Sequence, residues 1–535
     1  MTSNVDSKDA KNNSCTDVFY QLSIFGRFQT IQYVLICLTL MMVSMMNVNY
    51  MFVAENVNYR CRVPECDGLD TLDANFTMPI WWPKPEDTKC VRPIFNLLQG
   101  NATCLNQMAV EFEECDEWIY EHSDSVISEL DIGCTSWKPP LIGSAHNIGM
   151  IFSMIIMGWM ADRFGRKPIL ILCAVGGLIG SLKLFVSNFY VYVGLEFLES
   201  LISSGLYTVA IVLMIEVGGE TKRVLTGVIF SYATYVGEIV FGFLAMGFQQ
   251  WKALLLATYA PVILFISYII VLHESTRWQL LQGKAFEARK TYKTVAKINK
   301  LSLSNEDIDN ISEDDLRSKF NVVPQKEKDS FKEIINSKEI MIRVIVVSFC
   351  FFTCGLVYYG VAMHSIYLPG DKYVNFLLTS LASLPGDFIA YFTFPKFGRR
   401  ISLQCGFIFC AVFLLAQAFT PDAMIWLKLS LFLCGKIGTA LCFTGIFTYS
   451  LELFPTSVRG SLTGLGNTFS RVGSTLSPFT LLFVNILPAL PSILFAALAT
   501  MSALLVQLTP ETKTLPMFDT IQQVEAYNSK MTTRL

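Results

Sequence analysis

Long runs of apolar residues, each long enough to cross a bilayer, dominate this chain. A spanning helix needs about 20 mainly apolar residues, and the segments that meet this requirement are separated by short basic turns and two longer polar stretches. The pattern predicts an all-α membrane protein with twelve spans, at about 28–53, 140–161, 168–187, 190–215, 224–248, 252–272, 343–367, 373–395, 401–420, 424–447, 461–485 and 489–509.

Three motifs of the first half recur in the second half at nearly one offset. Gly165-Arg166-Lys167 returns 233 residues later as Gly398-Arg399-Arg400. The Glu216 to Arg223 spacing of EVGGETKR returns 236 residues later as Glu452 to Arg459 of ELFPTSVR, and Glu274 of HESTRW is matched 237 residues later by Glu511 of PETK. Three pairs in one order indicate a duplicated chain, as in transporters built from parallel repeats.

The duplication and the apolar pattern together predict the domain organisation. Two six-helix halves, 28–272 and 343–509, are joined by a central loop, 273–342. The first half includes one large polar segment, 54–139, between its first two spans, and the ends of the chain are a terminus at 1–27 and a tail at 510–535.

Composition and charge exclude several other classes of protein. Of 535 residues, 52% are apolar and 16% charged, whereas soluble domains carry about 25% charged residues. A net charge of -3 gives no reason to expect a nucleic-acid partner. Only four histidines occur, none spaced as a metal-ligand pair, and no nucleophile-base set appears, so we expect neither a metal site nor an enzyme.

The basic turns set the expected orientation. Arg163, Lys222, Lys396 and Arg459 fall in turns on one side with both termini, and the positive-inside rule makes that side cytosolic. Segment 54–139 is then extracellular, where six cysteines favour three disulfides with fifteen connectivities open. Glycosylation is expected at two sequons on the same side. The residues concerned are Cys61, Cys66, Cys90, Cys104, Cys115, Cys134, Asn75 and Asn101.

The repeated turn has the residue types of a conformational latch. In GWMADRFGRK, Gly158 permits close helix approach, Asp162 accepts hydrogen bonds or pairs with an arginine, and Gly165 allows a tight reversal. Ion pairs that form in only one conformation of the two halves shift the conformational equilibrium towards that conformation. The predicted gating set, with Glu216–Arg223 and Glu452–Arg459 as charge-pair elements, also includes Arg163, Arg166, Lys167, Glu274, Arg277, Gly398, Arg399 and Arg400.

GWMADRFGRK resembles the loop signature of the major facilitator superfamily, and essentially the whole chain is similar to solute carrier family 22, the organic cation, anion and carnitine transporters, including its insect-type organic cation transporter-like members. HESTRW, ELFPTSVRGSLTGLG, PETKTLP and the cysteine-rich segment ending CDEWIYEHSDSVISELDIGC carry the resemblance. It implies the major facilitator fold, a plasma-membrane location and transport by alternating access. Glu196 departs from it, because many members carry an arginine there.

Ionisable side chains inside a span are costly and are functional candidates by default. Glu238, Asp387, Lys436 and Arg471 lie in mid-span, as do Glu196 and Glu199, which we expect to have buried ion-pair or packing roles. The resemblance implies that Arg471 lies where anion and zwitterion carriers have a basic residue. It also implies that cation carriers have an acid at the position of Ser383, one turn before Asp387.

These residues predict a secondary carrier for small organic cations or zwitterions, with Asp387 and Arg471 holding the two ends of a zwitterion. Aromatic faces would attract a quaternary ammonium, and the candidates are Tyr358, Tyr359, Phe443, Phe447, Tyr232 and Tyr235. An organic-anion carrier and a ligand-binding membrane sensor are the alternatives.

The energy source is left open by the sequence. No GxxxxGK[ST] phosphate loop is present, so no nucleotide site is expected, and we expect no cofactor. Coupling to H+ through Asp387 or Glu238, coupling to Na+, and exchange without a coupling ion all remain open. The expected partners are the small-molecule substrate, a coupling ion and the lipid bilayer, and the protein is expected to act as a monomer.

Overall fold

A computed structural model describes most of the membrane bundle and part of the cysteine-rich segment. The described residues are 25–55, 57–63, 67, 90–94, 111–122, 124–219, 223–309, 311, 331–421, 423–455, 458–484, 486–514, 518 and 520–532. Within these ranges the bundle is helical, and 11 helices are long and apolar enough to cross a membrane.

Six spans form the first half. The sequence accounts for their interruptions: the sixth span changes to a 3-10 helix where Pro261 enters, because proline lacks the N–H that continues an α-helix. The spans are Arg27–Val53, Lys138–Phe164, Arg166–Phe185 (α to Gly176, then 3-10), Phe189–Gly218 (as Phe189–Ser203 and Leu206–Gly218), Arg223–Gly247 and Trp251–Val271 (as Trp251–Tyr259, Ala260–Ser267 and Tyr268–Val271).

Six further spans form the second half, which confirms the predicted fold. They are Lys338–Tyr367 (as Lys338–His364 and Ser365–Tyr367), Lys372–Phe397 (as Lys372–Leu381 and Ser383–Phe397), Arg399–Ala418, Ile425–Leu453, an eleventh span made of Arg459–Leu476, Ser477–Phe479 and Thr480–Val484, and Leu490–Leu508 (as Leu490–Leu505 and Val506–Leu508).

The eleventh span is the one that hydropathy alone does not select. Polar residues recur at every fourth position along it, at Arg459, Thr463, Asn467, Arg471 and Thr475. Residues four apart lie on one face of a helix. A polar stripe at membrane depth faces the bundle interior, so this span is one from which a polar cavity is built.

Short strands and disulfides mark one end of the bundle, the cysteine-rich end. Strand Tyr59–Cys61 pairs antiparallel with Trp118–Tyr120, and Val91–Ile94 pairs antiparallel with Glu111–Glu114. Helix Val126–Glu129 leads into the second span. Disulfides join Cys61 to Cys115 and Cys90 to Cys134. The predicted Cys66, Cys104, Asn75 and Asn101 lie outside the described residues.

Helices of the central loop cover the opposite end, which carries the basic turns and is called here the basic-turn end. Asn299 packs against the start of the first span, where its Oδ1 accepts a hydrogen bond from the Phe28 backbone N–H at 2.7 Å. The helices at this end are Thr276–Leu281, Ala285–Asn299, Asn305–Asp309, Phe331–Asn336 and, after the 3-10 turn Thr512–Thr514, Ile521–Thr532.

Each half has its own apolar core. Ile36, Leu213 and Phe241 belong to the core of the first half, and Phe351 and Tyr449 to that of the second. The halves meet mainly where the second span packs on the eleventh and the fifth packs on the eighth. Buried charged side chains lie both along this interface and inside the first half.

Candidate functional site

Four charged side chains are buried where the two halves meet. Glu238 of the fifth span is 9% exposed, Asp387 of the eighth 6%, Lys436 of the tenth 1% and Arg471 of the eleventh 9%. All four were predicted as site residues from their mid-span positions. Their burial inside the protein, rather than against lipid, is what allows charges to exist at this depth.

Asp387 is held by hydroxyl groups. Its Oδ2 accepts a hydrogen bond from the Tyr235 hydroxyl at 3.0 Å, and its Oδ1 accepts one from the Thr444 hydroxyl at 2.5 Å. Tyr235 belongs to the first half and Thr444 to the second, so the carboxylate lies at the seam between them. Among the residues that the structure describes, no cation pairs with it.

Lys436 lies over an aromatic ring. Its Nζ is 3.3 Å from the centroid of the Tyr358 ring and donates to the Tyr358 carbonyl at 3.3 Å. Glu238, which is hydrogen-bonded to Ser380, interacts electrostatically with this lysine across the seam. The Phe443 ring packs 5.2 Å from Tyr358 on the other side. Lys436 is therefore a cation whose charge is already shared between a ring and a carboxylate.

Arg471 is the second cation of the seam. Its Nη1 donates to the Tyr359 hydroxyl at 2.9 Å and contacts the Met150 sulfur at 2.7 Å. Its Nε is buried without a hydrogen-bond partner in the described part of the chain, and no carboxylate there forms an ion pair with it. An orphaned guanidinium N–H is costly, and a hydrogen-bond acceptor placed at this Nε would relieve that cost.

Tyrosines connect the acidic and basic parts of the site. The rings of Tyr358 and Tyr359 lie 5.5 Å apart, edge to face. Tyr235 and Tyr358 share one buried cluster, against which Tyr232 and Phe443 pack. The structure thus brings most of the predicted substrate residues together. Phe447 lies further along the tenth span, packed on Phe443 at 5.7 Å.

The three repeated motifs converge in the first half as one cluster at the basic-turn end. Glu274 accepts hydrogen bonds from the backbone N–H groups of Arg166 at 3.0 Å and Lys167 at 3.1 Å, at the start of the third span. Anions are stabilised at helix N-termini. Arg166 in turn lies 3.4 Å from Glu216, and its other Nη is 2.8 Å from Asp162. Burial raises the pKa of Glu274, and the backbone donors oppose that shift.

The second half contains the same cluster. Glu511 accepts from the backbone N–H groups of Arg399 at 2.8 Å and Arg400 at 3.1 Å, and Arg399 pairs with Glu452 at 2.9 Å. Both turns use a glycine with positive φ, +118° at Gly165 and +97° at Gly398. The sequence repeats are thus two copies of one structural device, and each described contact of the device stays within its own half.

The pairing inside these clusters differs from the one expected within ELFPTSVR. Glu452 binds Arg399 and the Thr512 hydroxyl, whereas Arg459 Nε donates to the Phe454 carbonyl. The physical reason is that the tenth helix ends at Leu453, and the turn that follows carries Arg459 away from the acid. For the first copy, the side chain of Arg223 lies outside the described part of the chain.

The remaining predicted gating residues surround the first cluster. Arg163 stacks over the Trp159 ring at 5.5 Å. The Asp162 carbonyl accepts a hydrogen bond from the Trp278 indole at 2.8 Å, which ties helix Thr276–Leu281, including Arg277, to the turn. A Cβ added at Gly158 would lie 3.7 Å from the Thr208 methyl, an ordinary van der Waals distance, so the predicted close helix approach does not require a glycine at this position.

Several polar residues near the site were missed by sequence reasoning. Thr444 binds Asp387, but a lone threonine in an apolar span gives little signal. His146 and Lys183 did carry a signal, since each is an ionisable residue inside a predicted span. They form a network with the expected ion-pair residues Glu196 and Glu199.

A twofold-repeated bundle of twelve spans with buried charges at the seam is the architecture of an alternating-access transporter. The Major Facilitator Superfamily model matches residues 109–478. The chain therefore belongs to the major facilitator superfamily, a multi-pass membrane family of transporters.

Relatives and solved structures agree with this assignment. The chain is 28% identical over 528 residues to the Organic cation transporter protein of Drosophila melanogaster, covering 96% of this chain and 95% of that one. It is 27% identical to Solute carrier family 22 member 3 of Mus musculus, covering 94% of each. The resemblance to solute carrier family 22 is thus confirmed. The xylose transporter XylE from E. coli, in a partially occluded inward open conformation, shares the fold, with a TM-score of 0.59 at 13% identity over 92% of this chain and 100% of XylE.

Proposed function

We propose that the protein is a secondary transporter that moves small organic cations or zwitterions across the plasma membrane by alternating access. The substrate site is the seam between Asp387 and Arg471. The single observation that carries the proposal is that these two opposite charges are buried in one tyrosine-lined site and neither has a charged partner among the described residues.

An unpaired buried charge is expensive, and a ligand of opposite charge relieves that cost. Asp387 has only hydroxyl donors around it, so it suits an ammonium group. Arg471 has a free Nε and a tyrosine partner, so it suits a carboxylate, which accepts bidentate hydrogen bonds from a guanidinium. A small amino-carboxylate or a carnitine-like molecule carries both groups.

The aromatic groups refine the position of the ammonium end. Lys436 already lies over the Tyr358 ring, and the Arg471 guanidinium lies 5.9 Å from the Tyr359 ring centroid. Both members of the predicted aromatic pair thus face cations of the protein itself. A substrate ammonium is better received beside Asp387, where Tyr235 and Tyr232 supply the neighbouring rings. Cation–π attraction there adds about 0.5–2 kcal/mol.

Contacts between the halves extend from the site to the cysteine-rich end. The Ser144 hydroxyl donates to the Thr475 carbonyl at 2.8 Å, the Phe52 ring stacks on Tyr373 at 5.8 Å, and Lys372 pairs with Glu55 at 2.6 Å. The basic turns favour a cytosolic location for the opposite end and for both termini. We infer that this conformation is closed towards the outside.

Bare organic cations are the second candidate substrate class. The printed names of the relatives, organic cation transporter among them, favour it. In that case Glu238 and Asp387 would both bind the cation, and Arg471 would have to form an ion pair with another acidic side chain of the protein. The two candidates differ in what Arg471 does, and that difference can be measured.

The test is uptake in cells expressing full-length variants. Asp387→Asn, Arg471→Gln and Arg471→Asp are compared with the wild type for labelled carnitine, a tetraalkylammonium ion and a dicarboxylate. Glu117→Gln and Arg62→Gln are matched controls, because these residues form an exposed ion pair in the cysteine-rich segment. Surface expression is measured for every variant, so that a loss of protein is not mistaken for a loss of transport.

We expect Asp387→Asn to lose uptake of both carnitine and the cation, since both need the acid. Arg471→Asp should lose carnitine uptake and should keep or gain uptake of the cation. The ratio of the two uptake rates should change at least tenfold, because about 1.4 kcal/mol changes an equilibrium tenfold. An unchanged ratio of the two substrates in Arg471→Asp would refute the zwitterion site. Uptake of the dicarboxylate alone would favour an anion carrier, and saturable binding without uptake would favour a sensor.

A further inference from the structure

The first half encloses a second group of charged side chains, away from the seam. Lys183 of the third span and Glu199 of the fourth are 0% exposed, and Glu196 is 2% exposed. The Lys183 Nζ lies 2.6 Å from Glu196 Oε2 and 2.7 Å from Glu199 Oε2. Two carboxylates share one ammonium, so this acid cluster has one negative charge more than its lysine neutralises.

His146 of the second span lies beside this cluster, and both of its ring nitrogens have hydrogen-bond partners. Its Nδ1 lies 2.8 Å from Glu196 Oε1, and its Nε2 lies 2.9 Å from Asn47 Oδ1. Both partners are acceptors. Each ring nitrogen therefore needs a proton, unless the proton on the Nδ1 side resides on Glu196 instead. In either case the His146–Glu196 pair holds one proton more than a neutral imidazole beside an ionised carboxylate.

The hydrogen-bond pattern requires one extra proton on the pair, and with that proton the buried cluster becomes neutral. A net charge buried in the membrane is strongly disfavoured. Proton loss would leave a negative cluster behind, so proton binding and the conformation around the cluster must be linked.

The groups that face His146 and the cluster come from every element packed against them. The Tyr259 hydroxyl of the sixth span donates to Glu199 Oε1 at 2.7 Å, and the Tyr50 ring of the first span lies 5.5 Å from the His146 ring. Tyr192 of the fourth span lies under Lys183 at 5.8 Å. Besides these tyrosines, the charged and titratable groups named above complete the described surroundings.

A short relay joins the cluster to the seam. Asn47, which accepts from His146, donates through its Nδ2 to the Tyr207 hydroxyl at 2.8 Å. A second link is Met150, one helical turn from His146 on the second span, whose sulfur contacts Arg471 Nη1 at 2.7 Å. The protonation state of the cluster therefore acts on the guanidinium that we assign to the substrate carboxylate. A negative cluster would compete with that carboxylate for Arg471, and a neutral cluster would not.

We propose that the His146–Glu196 pair is a proton-binding site, and that the protein is a proton symporter in which one proton and one substrate move together. The proposal rests on the proposed transport function. The proton binds from the outer solution and is released to the inner one, with no other bond changed. Because binding linkage is reciprocal, substrate binding at Arg471 favours the protonated pair as much as protonation favours the substrate.

The experiment uses purified full-length protein in proteoliposomes with labelled carnitine and a pH-sensitive dye inside. For the wild type we expect carnitine addition to acidify the lumen, and an inward gradient of one pH unit to drive up to about tenfold accumulation at one proton per substrate. This wild-type measurement tests whether proton movement and carnitine movement are coupled. Carnitine exchange without acidification and without any effect of the gradient would overturn the inference.

The variant Glu196→Gln tests proton coupling separately from substrate binding. The variant keeps one lysine and one carboxylate, so its cluster stays neutral without a proton. We expect carnitine counterflow, which needs no net proton movement, to be retained, and gradient-driven accumulation to be lost. Thr258→Val is the matched control, because Thr258 is equally buried in the sixth span and, within the described ranges, its hydroxyl bonds only the Leu254 carbonyl. It should behave as the wild type.

Failure of the two proposals gives different results. If the wild type shows no counterflow of carnitine or of the tetraalkylammonium ion, the proposed transport function fails. If counterflow is present and Glu196→Gln still accumulates carnitine in response to the pH gradient, the transport function stands and the coupling site is refuted. If Glu196→Gln is not recovered as a monodisperse protein, His146→Gln is compared in the same way, with loss of proton movement expected.

Discussion

Gly165→Ala tests the first of the two basic turns. Gly165 has φ of +118°, and a Cβ added there would meet Glu274 Oε2 and lie 3.3 Å from Pro168 Cδ. Alanine would therefore force the backbone out of its present conformation, push Glu274 away, or both. The acid would then lose its hydrogen bonds from the backbone N–H groups of Arg166 and Lys167.

The expected cost follows from these two effects. The conformation of Gly165, with φ of +118° and ψ of 155°, is essentially restricted to glycine and costs a residue with a Cβ about 1–3 kcal/mol. Losing a hydrogen bond to a charged group costs about 1.5–3 kcal/mol. Together they predict a loss of about 2.5–6 kcal/mol. At about 2–4 °C per kcal/mol for a unit of 150–250 residues, the apparent Tm should fall by roughly 5–24 °C.

Thermal unfolding in detergent micelles measures this loss. Gly398→Ala should cause a similar fall, because Gly398 has φ of +97° and faces Glu511 in the same way. Gly194→Ala is the matched control, since a Cβ there meets nothing within 4 Å, and alanine favours the helix. If Gly165→Ala and Gly194→Ala had the same Tm, the account of the turn would be refuted. A large effect at Gly165 with none at Gly398 would contradict the equivalence of the two halves.

Three further predictions concern single contacts. Glu55→Gln removes the ion pair with Lys372 between the halves, which is partly exposed and worth at most about 1 kcal/mol. The apparent affinity for external substrate should therefore rise by at most about fivefold. No rise would show that this ion pair does not hold the halves together. Lys183→Met leaves buried Glu199 without a cation and leaves Glu196 with His146 alone, and it should cost about 3–5 kcal/mol. A Tm equal to that of the wild type would exclude the buried triad. Asn75→Gln with Asn101→Gln should remove two enzymatically cleavable glycans, seen as a shift on gels, and an unchanged band would contradict the assigned orientation.

The fold was largely predictable because its determinants are local or repeated. Apolar runs set the spans, and the matched offsets of Gly165 with Gly398 and of Glu274 with Glu511 anticipated two equivalent clusters. Their partners were harder to predict. Arg399, rather than Arg459, binds Glu452, because the choice depends on where the tenth helix ends. The pairing of strand Tyr59–Cys61 with Trp118–Tyr120 joins segments far apart in sequence and leaves no local signal.

The site was predictable in its members and not in its contacts. Mid-span position identified Glu238, Asp387, Lys436 and Arg471, since the cost of burying charge applies to each residue alone. That Lys436 lies over Tyr358 depends on the rotation of the tenth span against the seventh. His146 and Lys183 carried the same mid-span signal and were overlooked, whereas their contacts with Glu196 could not be predicted from position alone.

Relative movement of the two halves is the central claim, and a reversible cross-link tests it most directly. The Ser144 hydroxyl donates to the Thr475 carbonyl across the seam between the second and eleventh spans. The double variant Ser144→Cys/Thr475→Cys is oxidised, the new disulfide is verified by mass spectrometry, and carnitine uptake is measured before and after reduction. The single variants are the controls.

The account predicts that uptake stops when this disulfide forms, returns when it is reduced, and does not change on oxidation of either single variant. Transport requires the halves to separate at this end, so a bond between them must hold the site closed to the outside. Full uptake by protein that is verified as cross-linked would contradict alternating access between these halves.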